Sequence, residues 1–278
     1  MERPISSEAG IYGPSRIALC IEYQGTGFNG WQTQKSAAVT TVQEVLESAI
    51  SQVADQSIKV HCAGRTDKGV HANAQIVHFE ANSERPLKAW IRGCNALLPK
   101  TIAVRWAKEV EFDFHARFSA LSRRYCYLIY NHKIPTALLQ GQVSSCFHDL
   151  NEKSMHEGGQ YLLGERDFSS FRGSGCQSNT AMRNVSYINV DRFGDFVRID
   201  IKANAFLLHM VRNIVGALLE VGEGRRNPEW VGQVLEQKNR RKAGVTASPD
   251  GLYLIEVEYP DKYELPTAPW VFPFFKSH

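Results

Sequence analysis

Two runs of β-patterned residues, 182–193 and 196–203, meet at Gly194-Asp195. A two-residue connection containing glycine between such runs predicts a hairpin, and a hairpin demands antiparallel pairing. That feature excludes an all-helical chain and a purely parallel sheet. Further strands are predicted at 16–23 (RIALCIEY), 58–62, 73–80, 102–106, 122–131 and 252–259. Helical spacing falls between them. Val42, Val45, Leu46, Ala49, Ile50 and Val53 follow an i, i+3, i+4, i+7 pattern behind a Thr41–Glu44 capping box. Other helices are predicted at about 87–98, 152–163, 206–222 and 228–237. Strands mixed with helices and joined by a hairpin make an α+β fold, and no tandem repeat is present. The order predicts a flexible tail over 1–14, an N-terminal half over 15–111, a C-terminal half over 112–265 and an apolar tail over 266–278.

Composition removes several classes of function. The 278 residues are 43% hydrophobic and 22% charged, an ordinary soluble balance. Net charge is only +3, so any polyanion partner must be met by clustered cations. Phe206–Val221 is the best membrane candidate, but His209, Arg212, Asn213 and Glu220 interrupt it, and a span needs roughly 20 apolar residues. The N-terminus lacks a secretory pattern. The six cysteines are scattered with no CxxC pair, which predicts reduced thiols and a cytoplasmic protein. Gly25, Gly27 and Gly30 have GxGxxG spacing, but they read as a Gly-rich turn ahead of Trp31 and no helical pattern opens on them, the next one starting behind Thr41. No GxxxxGK[ST] element is present to hold a nucleotide cofactor, and no GxSxG to present a serine nucleophile. His61, Cys62, His71 and His78 match no zinc spacing.

Four places could carry chemistry. In CAGRTDKGVHA (62–72), Asp67 sits among Arg65 and Lys68 between two glycines. One reading is a hairpin turn, with Gly69 in the left-handed region. The other is a carboxylate among cations, which can serve as nucleophile or base without a metal. His71 is a possible partner, though a single histidine is more often structural. In SRRYCYLIYN (122–131), Arg123 and Arg124 precede three tyrosines. Sheet packing explains them, and so does a cation-and-aromatic surface for phosphates and an unstacked base. Tyr125 and Tyr127 share one face and Tyr130 lies on the other. On the 206–222 helix, Leu207, Met210, Val211, Ile214, Val215, Leu218 and Val221 form the core stripe. Arg212 falls on its margin, where a snorkelling guanidinium or an anionic partner from elsewhere would account for it. Arg225, Arg226, Lys238, Arg240, Arg241 and Lys242 cluster at element ends, as a solvated face or a phosphate track.

Three of these stretches, AGRTDKGVHA, FHARFSALSRRYCYLIYN and NAFLLHMVRNIVG, resemble in order the tRNA pseudouridine synthases of the TruA type. The resemblance runs from about residue 15 to about residue 265. It implies two α/β halves with mainly antiparallel sheets joined around a basic RNA-binding cleft, and a homodimer. It implies isomerisation of uridine to pseudouridine in the tRNA anticodon stem-loop, at positions 38, 39 and 40, with no cofactor and no metal. By position, Asp67 matches the essential aspartate, Tyr125 the tyrosine that stacks on the target base, Arg212 the partner of the aspartate, and Arg65 an arginine implicated in nucleotide flipping. Lys68 stands where the pattern usually has alanine, and adds a charge that could meet phosphate beside Arg123 and Arg124. Two rivals are a non-catalytic RNA-binding module and a base-excising nucleoside glycosylase. Neither requires Tyr125 and Arg212 alongside Asp67.

Overall fold

The computed structural model describes residues 14–34, 39–82 and 85–267. The tails predicted at 1–14 and 266–278 lie outside these residues, apart from Pro14, Pro266 and Thr267. Among these residues, ten strands form one sheet. They are β1 (Ser15–Tyr23), β2 (His61–Cys62), β3 (His71–Ala81), β4 (Ile102–Val110), β5 (Ser122–Asn131), β6 (Ser144–Cys146), β7 (Gly164–Asp167), β8 (Met182–Phe193), β9 (Phe196–Ala203) and β10 (Leu252–Glu258). The order across it is β4-β1-β3-β10-β5-β9-β8-β7, with β2 on β3 and β6 on β5. Pairing is antiparallel except for β3 with β10 and β5 with β6. The last strand among the described residues therefore fills the centre, joining strands of the first half to strands of the second.

The hairpin forms as its sequence demands, with Phe193 opposite Phe196 and Gly194 at φ 56°. Five helices pack on one face: α1 (Val42–Ala54), α2 (Leu87–Leu97), α3 (Glu152–Gln160), α4 (Met210–Gly222) and α5 (Glu229–Glu236). Alternation explains the layering. In β1, Ile17, Leu19 and Ile21 face the helices, while Ala18 and Cys20 join Trp106, Phe114, Tyr259 and Tyr263 on the other side. Tyr125 and Tyr127 face the helices, and Tyr130 packs with Cys126 and Leu128 opposite. The Thr41–Glu44 capping box closes α1 as its spacing predicts, satisfying main-chain N–H groups that a helix start leaves open.

The helix predicted from 206 begins instead at Met210. His209 before it adopts a left-handed conformation at φ 58°, which breaks the helical path although Phe206 and Leu207 continue the apolar spacing. Every residue of the predicted core stripe is buried. Gly216 and Ala217 are buried too, because the 243–250 segment crosses the helix so closely that a Cβ on Gly216 would meet the Val245 carbonyl.

Candidate active site

The loop from Ala63 to Val70 joins β2 to β3, and its backbone is held on three sides. Ala63 donates its N–H to Ile76 O at 2.8 Å. The Gln75 side chain brackets Gly64, accepting from its N–H at 3.2 Å and donating to its carbonyl at 2.5 Å. Trp31 donates its N–H to Thr66 O at 3.0 Å, and the Tyr23 and Thr66 hydroxyls meet at 2.7 Å in the core. This approach requires Gly30: any Cβ there would lie 2.8 Å from Thr66 O. Val70 N–H closes a turn onto Asp67 O at 3.2 Å, with Gly69 at φ 83°. The hairpin-turn reading and the reactive-carboxylate reading thus describe one loop, whose turn aims Asp67.

Asp67 is met by the start of α4. Arg212 Nη1 donates to Asp67 Oδ2 at 3.0 Å, and His209 Nε2 lies 3.4 Å from the same oxygen. The side chains are 22% exposed for Asp67 and 15% for Arg212, so the pair is shielded but reachable. Arg212 has little freedom. Its Nε donates to Ala247 O at 2.8 Å, and Ala247 N–H donates back to Arg212 O at 3.1 Å. Among the described residues nothing holds Asp67 Oδ1. One oxygen is anchored and the other is left for a ligand.

Tyr125 lies between Leu254 and Ile201 in the sheet. Its ring meets Phe206 edge-on at 5.1 Å, and its hydroxyl lies 3.7 Å from where a Gly64 Cβ would be. Burial pushes this hydroxyl above the ordinary tyrosine range; the Arg123 charge pulls against it, and the charge of Asp67 adds a smaller push upward. It therefore stays protonated near neutral pH.

The flanking cations divide sharply. Arg65 and Lys68 are exposed on either side of Asp67, and Arg65 reaches only Gln177 at 3.5 Å. Arg123 and Arg124 do not form the phosphate-facing surface that their sequence suggested; both are buried. Arg124 grips Asp200 through Nε at 2.8 Å and Nη2 at 2.5 Å, with Glu256 at 3.7 Å. Arg123 donates to four main-chain carbonyls, of Ala63 (3.0 Å), Arg117 (2.6 Å), Ala120 (3.2 Å) and Asn204 (3.0 Å). Strand alternation should have exposed one of the two, but here both faces of the sheet are covered. Arg123 thereby ties the Asp67 loop to the segments leading into β5 and α4. Arg240 also turns inward, onto Asn213 Oδ1 at 2.8 Å, Thr246 Oγ1 at 2.7 Å and Gly244 O at 2.8 Å. Arg225 pairs with Glu220 and Glu223.

His71 is structural. It accepts the Gly25 N–H at 3.0 Å, donates to Asp250 O at 3.0 Å and stacks on Tyr253 at 4.6 Å. Burial lowers its pKa, so it is neutral at pH 7. His209 is a site residue whose sequence position marks it only as a polar interruption of an apolar run. Its signal was a second polar residue three positions before Arg212, but only the left-handed turn brings both to one oxygen.

The chain matches a family model described as tRNA pseudouridine synthase over residues 19–119 and 159–260. It is 57% identical over 255 residues to tRNA pseudouridine synthase A of Aliivibrio fischeri (strain MJ11), covering 91% of this chain and 96% of that protein. It is 56% identical over 254 residues to tRNA pseudouridine synthase A of Vibrio parahaemolyticus, with 91% and 96% covered. Against the protein of that name from Haemophilus influenzae, the figures are 54% over 254 residues, with 91% and 94% covered.

Proposed function

Because the chain belongs to the tRNA pseudouridine synthase family, we propose that the Asp67 site isomerises uridine to pseudouridine in the anticodon stem-loop of tRNA, at positions 38, 39 and 40. The observation that carries the site assignment is the Arg212–Asp67 contact at 3.0 Å, which engages Oδ2 and leaves Oδ1 without a partner among the described residues.

The reaction breaks N1–C1′, turns the base and joins C5 to C1′. Substrate and product are isomers, so the balance needs no oxidant, reductant or phosphoryl donor. The target base must first leave the stack to expose these atoms. Tyr125 supplies a ring for it, and base–aromatic stacking is worth roughly 1–3 kcal/mol. Asp67 Oδ1 acts on the ribose, either attacking C1′ or taking the C2′ proton; both steps use the same unanchored oxygen. Arg212 holds Oδ2 and balances the carboxylate charge in a partly dry site. The C5 hydrogen leaves as a proton to water, and the neutral Tyr125 hydroxyl relays it, accepting that proton as it releases its own to solvent. Arg65 and Lys68, exposed beside the loop, receive phosphates and hold the flipped nucleotide. The main-chain contacts of Arg123 and the ion pair of Arg124 support a positioning role for both. The family resemblance supports a homodimer, and the scattered, unpaired cysteines support a reducing compartment such as the cytoplasm.

The test is tritium release from tRNA labelled at uridine C5. Isomerisation liberates that hydrogen to water. Free uracil with retained label would instead establish the glycosylase, and tight tRNA binding without release would establish a binding module.

A further inference from the structure

Phe118 leaves 75% of its surface in water, more than any other aromatic residue among those described as exposed. The loop that carries it is nevertheless firmly built. Ser119 N–H donates to His115 O at 2.9 Å, and His115 N–H donates to Ser119 Oγ at 2.9 Å. His115 Nδ1 accepts the N–H groups of Arg117 at 3.1 Å and Phe118 at 3.3 Å. One residue earlier, Ala116 N–H donates to His78 Nδ1 at 3.1 Å, pinning the loop to β3. Desolvation, then the neighbouring His61 and Arg16, lowers the His115 pKa and keeps its Nδ1 available as an acceptor. An exposed ring on a pre-shaped loop is costly to maintain unless something covers it.

The surroundings indicate what covers it. The His115 ring lies 4.4 Å from the Phe118 ring, tilted by 38°. The Arg117 guanidinium sits 5.4 Å from its centroid. The exposed His61 ring stands 5.3 Å behind His115. From Phe114 to Arg124 the chain carries no acidic residue. Among the described residues, Arg117 has no carboxylate partner, and neither have Arg65 and Lys68. The loop also belongs to the candidate site. Arg123 Nη2 donates to both Arg117 O and Ala63 O, so the platform and the root of the Asp67 loop meet on one nitrogen.

Resting on the isomerase reading, we propose that Phe118, backed by His115 and Arg117, is a stacking platform for a second, non-reacting unpaired base of the tRNA, with Arg117 taking an adjoining phosphate. Unstacked RNA bases are recognised by aromatic faces beside cations, and the stacking tolerates any base. The cations around the ring favour a polyanion over an apolar protein face. Phe112 and Leu121, each 54% exposed, offer the competing occupant, a second copy of this chain.

The experiment measures the affinity of the full-length protein for an unmodified tRNA transcript over a salt series, with light scattering for oligomer size. Phe118→Ala is expected to weaken binding roughly 5- to 150-fold at every salt concentration without changing the salt slope. Phe118→Leu is expected to lose as much, and Phe118→Trp to bind like the wild type. Arg117→Gln is expected to lower the salt slope by about one. Wild-type affinity in Phe118→Ala or Phe118→Leu would overturn the proposal. So would a change in oligomer size that accounts for the lost affinity, which would place a second copy on the ring. C5 tritium release by the wild-type protein reads the isomerase separately: without release that reading fails, whatever the Phe118 variants do.

Discussion

Of the aspartate–arginine pairs among the described residues, two are built oppositely. Arg124 meets Asp200 between adjacent strands, with both carboxylate oxygens engaged and Asp200 only 1% exposed. Arg212 meets Asp67 between a loop and a helix start, through one oxygen, with a fifth of the carboxylate in reach of solvent. A carboxylate held at both oxygens is part of the frame. A carboxylate held at one, with its partner braced on Ala247, is aimed. The pairs differ in what remains unbonded, and that difference separates architecture from chemistry.

Substitutions can break the contrast from either side. Asp200→Asn takes away the carboxylate that grips Arg124 at two nitrogens and leaves only the half-exposed Glu256 at 3.7 Å to offset its charge, so the unfolding free energy should fall by about 3–5 kcal/mol in denaturant titration. Tritium release per folded molecule should stay close to wild type. Arg212→Gln should reverse this. Release should fall about 10³-fold as Oδ2 loses its charged donor, with a much smaller change in stability. If instead the two variants lost stability alike, the pairs would be equivalent and the contrast void.

Tyr125→Phe sharpens the comparison. It keeps the ring and removes the hydroxyl, so tRNA affinity should hold while release drops about 10²-fold. An unchanged rate would confine Tyr125 to stacking. Because burial raises its pKa, the hydroxyl stays protonated through the ordinary tyrosine pKa of about 10. The wild-type rate should therefore show no alkaline loss from this group below that pH. The smallest effect belongs to His209→Asn. Asparagine tolerates the left-handed backbone, so folding should be spared while release slips a few-fold. His209→Ala should cost more, through the backbone.

Part of this was legible in the sequence because it is local. The Thr41–Glu44 cap, the turn at Gly194-Asp195 and the stripe from Leu207 to Val221 depend on neighbours a few residues apart. Asp67 was legible as a carboxylate among cations, and Arg212 as a marginal guanidinium in want of an anion. The rest depends on distant partners. Asp200 reaches Arg124 from 76 residues away, and carbonyls as distant as that of Asn204 hold Arg123, so two arginines that look surface-bound are buried. β6, three residues long, and β7, of sequence GERD, have no apolar alternation to read; pairing with β5 and β8 defines them. The start of α4 was misplaced because Phe206 and Leu207 keep helical spacing, while the backbone turns at His209 to bring its ring to Asp67.

The central claim is that Asp67, held by Arg212 at one oxygen, is the reacting carboxylate. Single-turnover tritium release by Asp67→Asn, at enzyme concentrations that saturate the tRNA, tests it most directly. Affinity and unfolding should match the wild type, and release should fall by at least about 10⁴-fold, as removal of a reacting group does elsewhere. Release within tenfold of wild type would contradict the account and leave the Asp67–Arg212 contact a second structural pair.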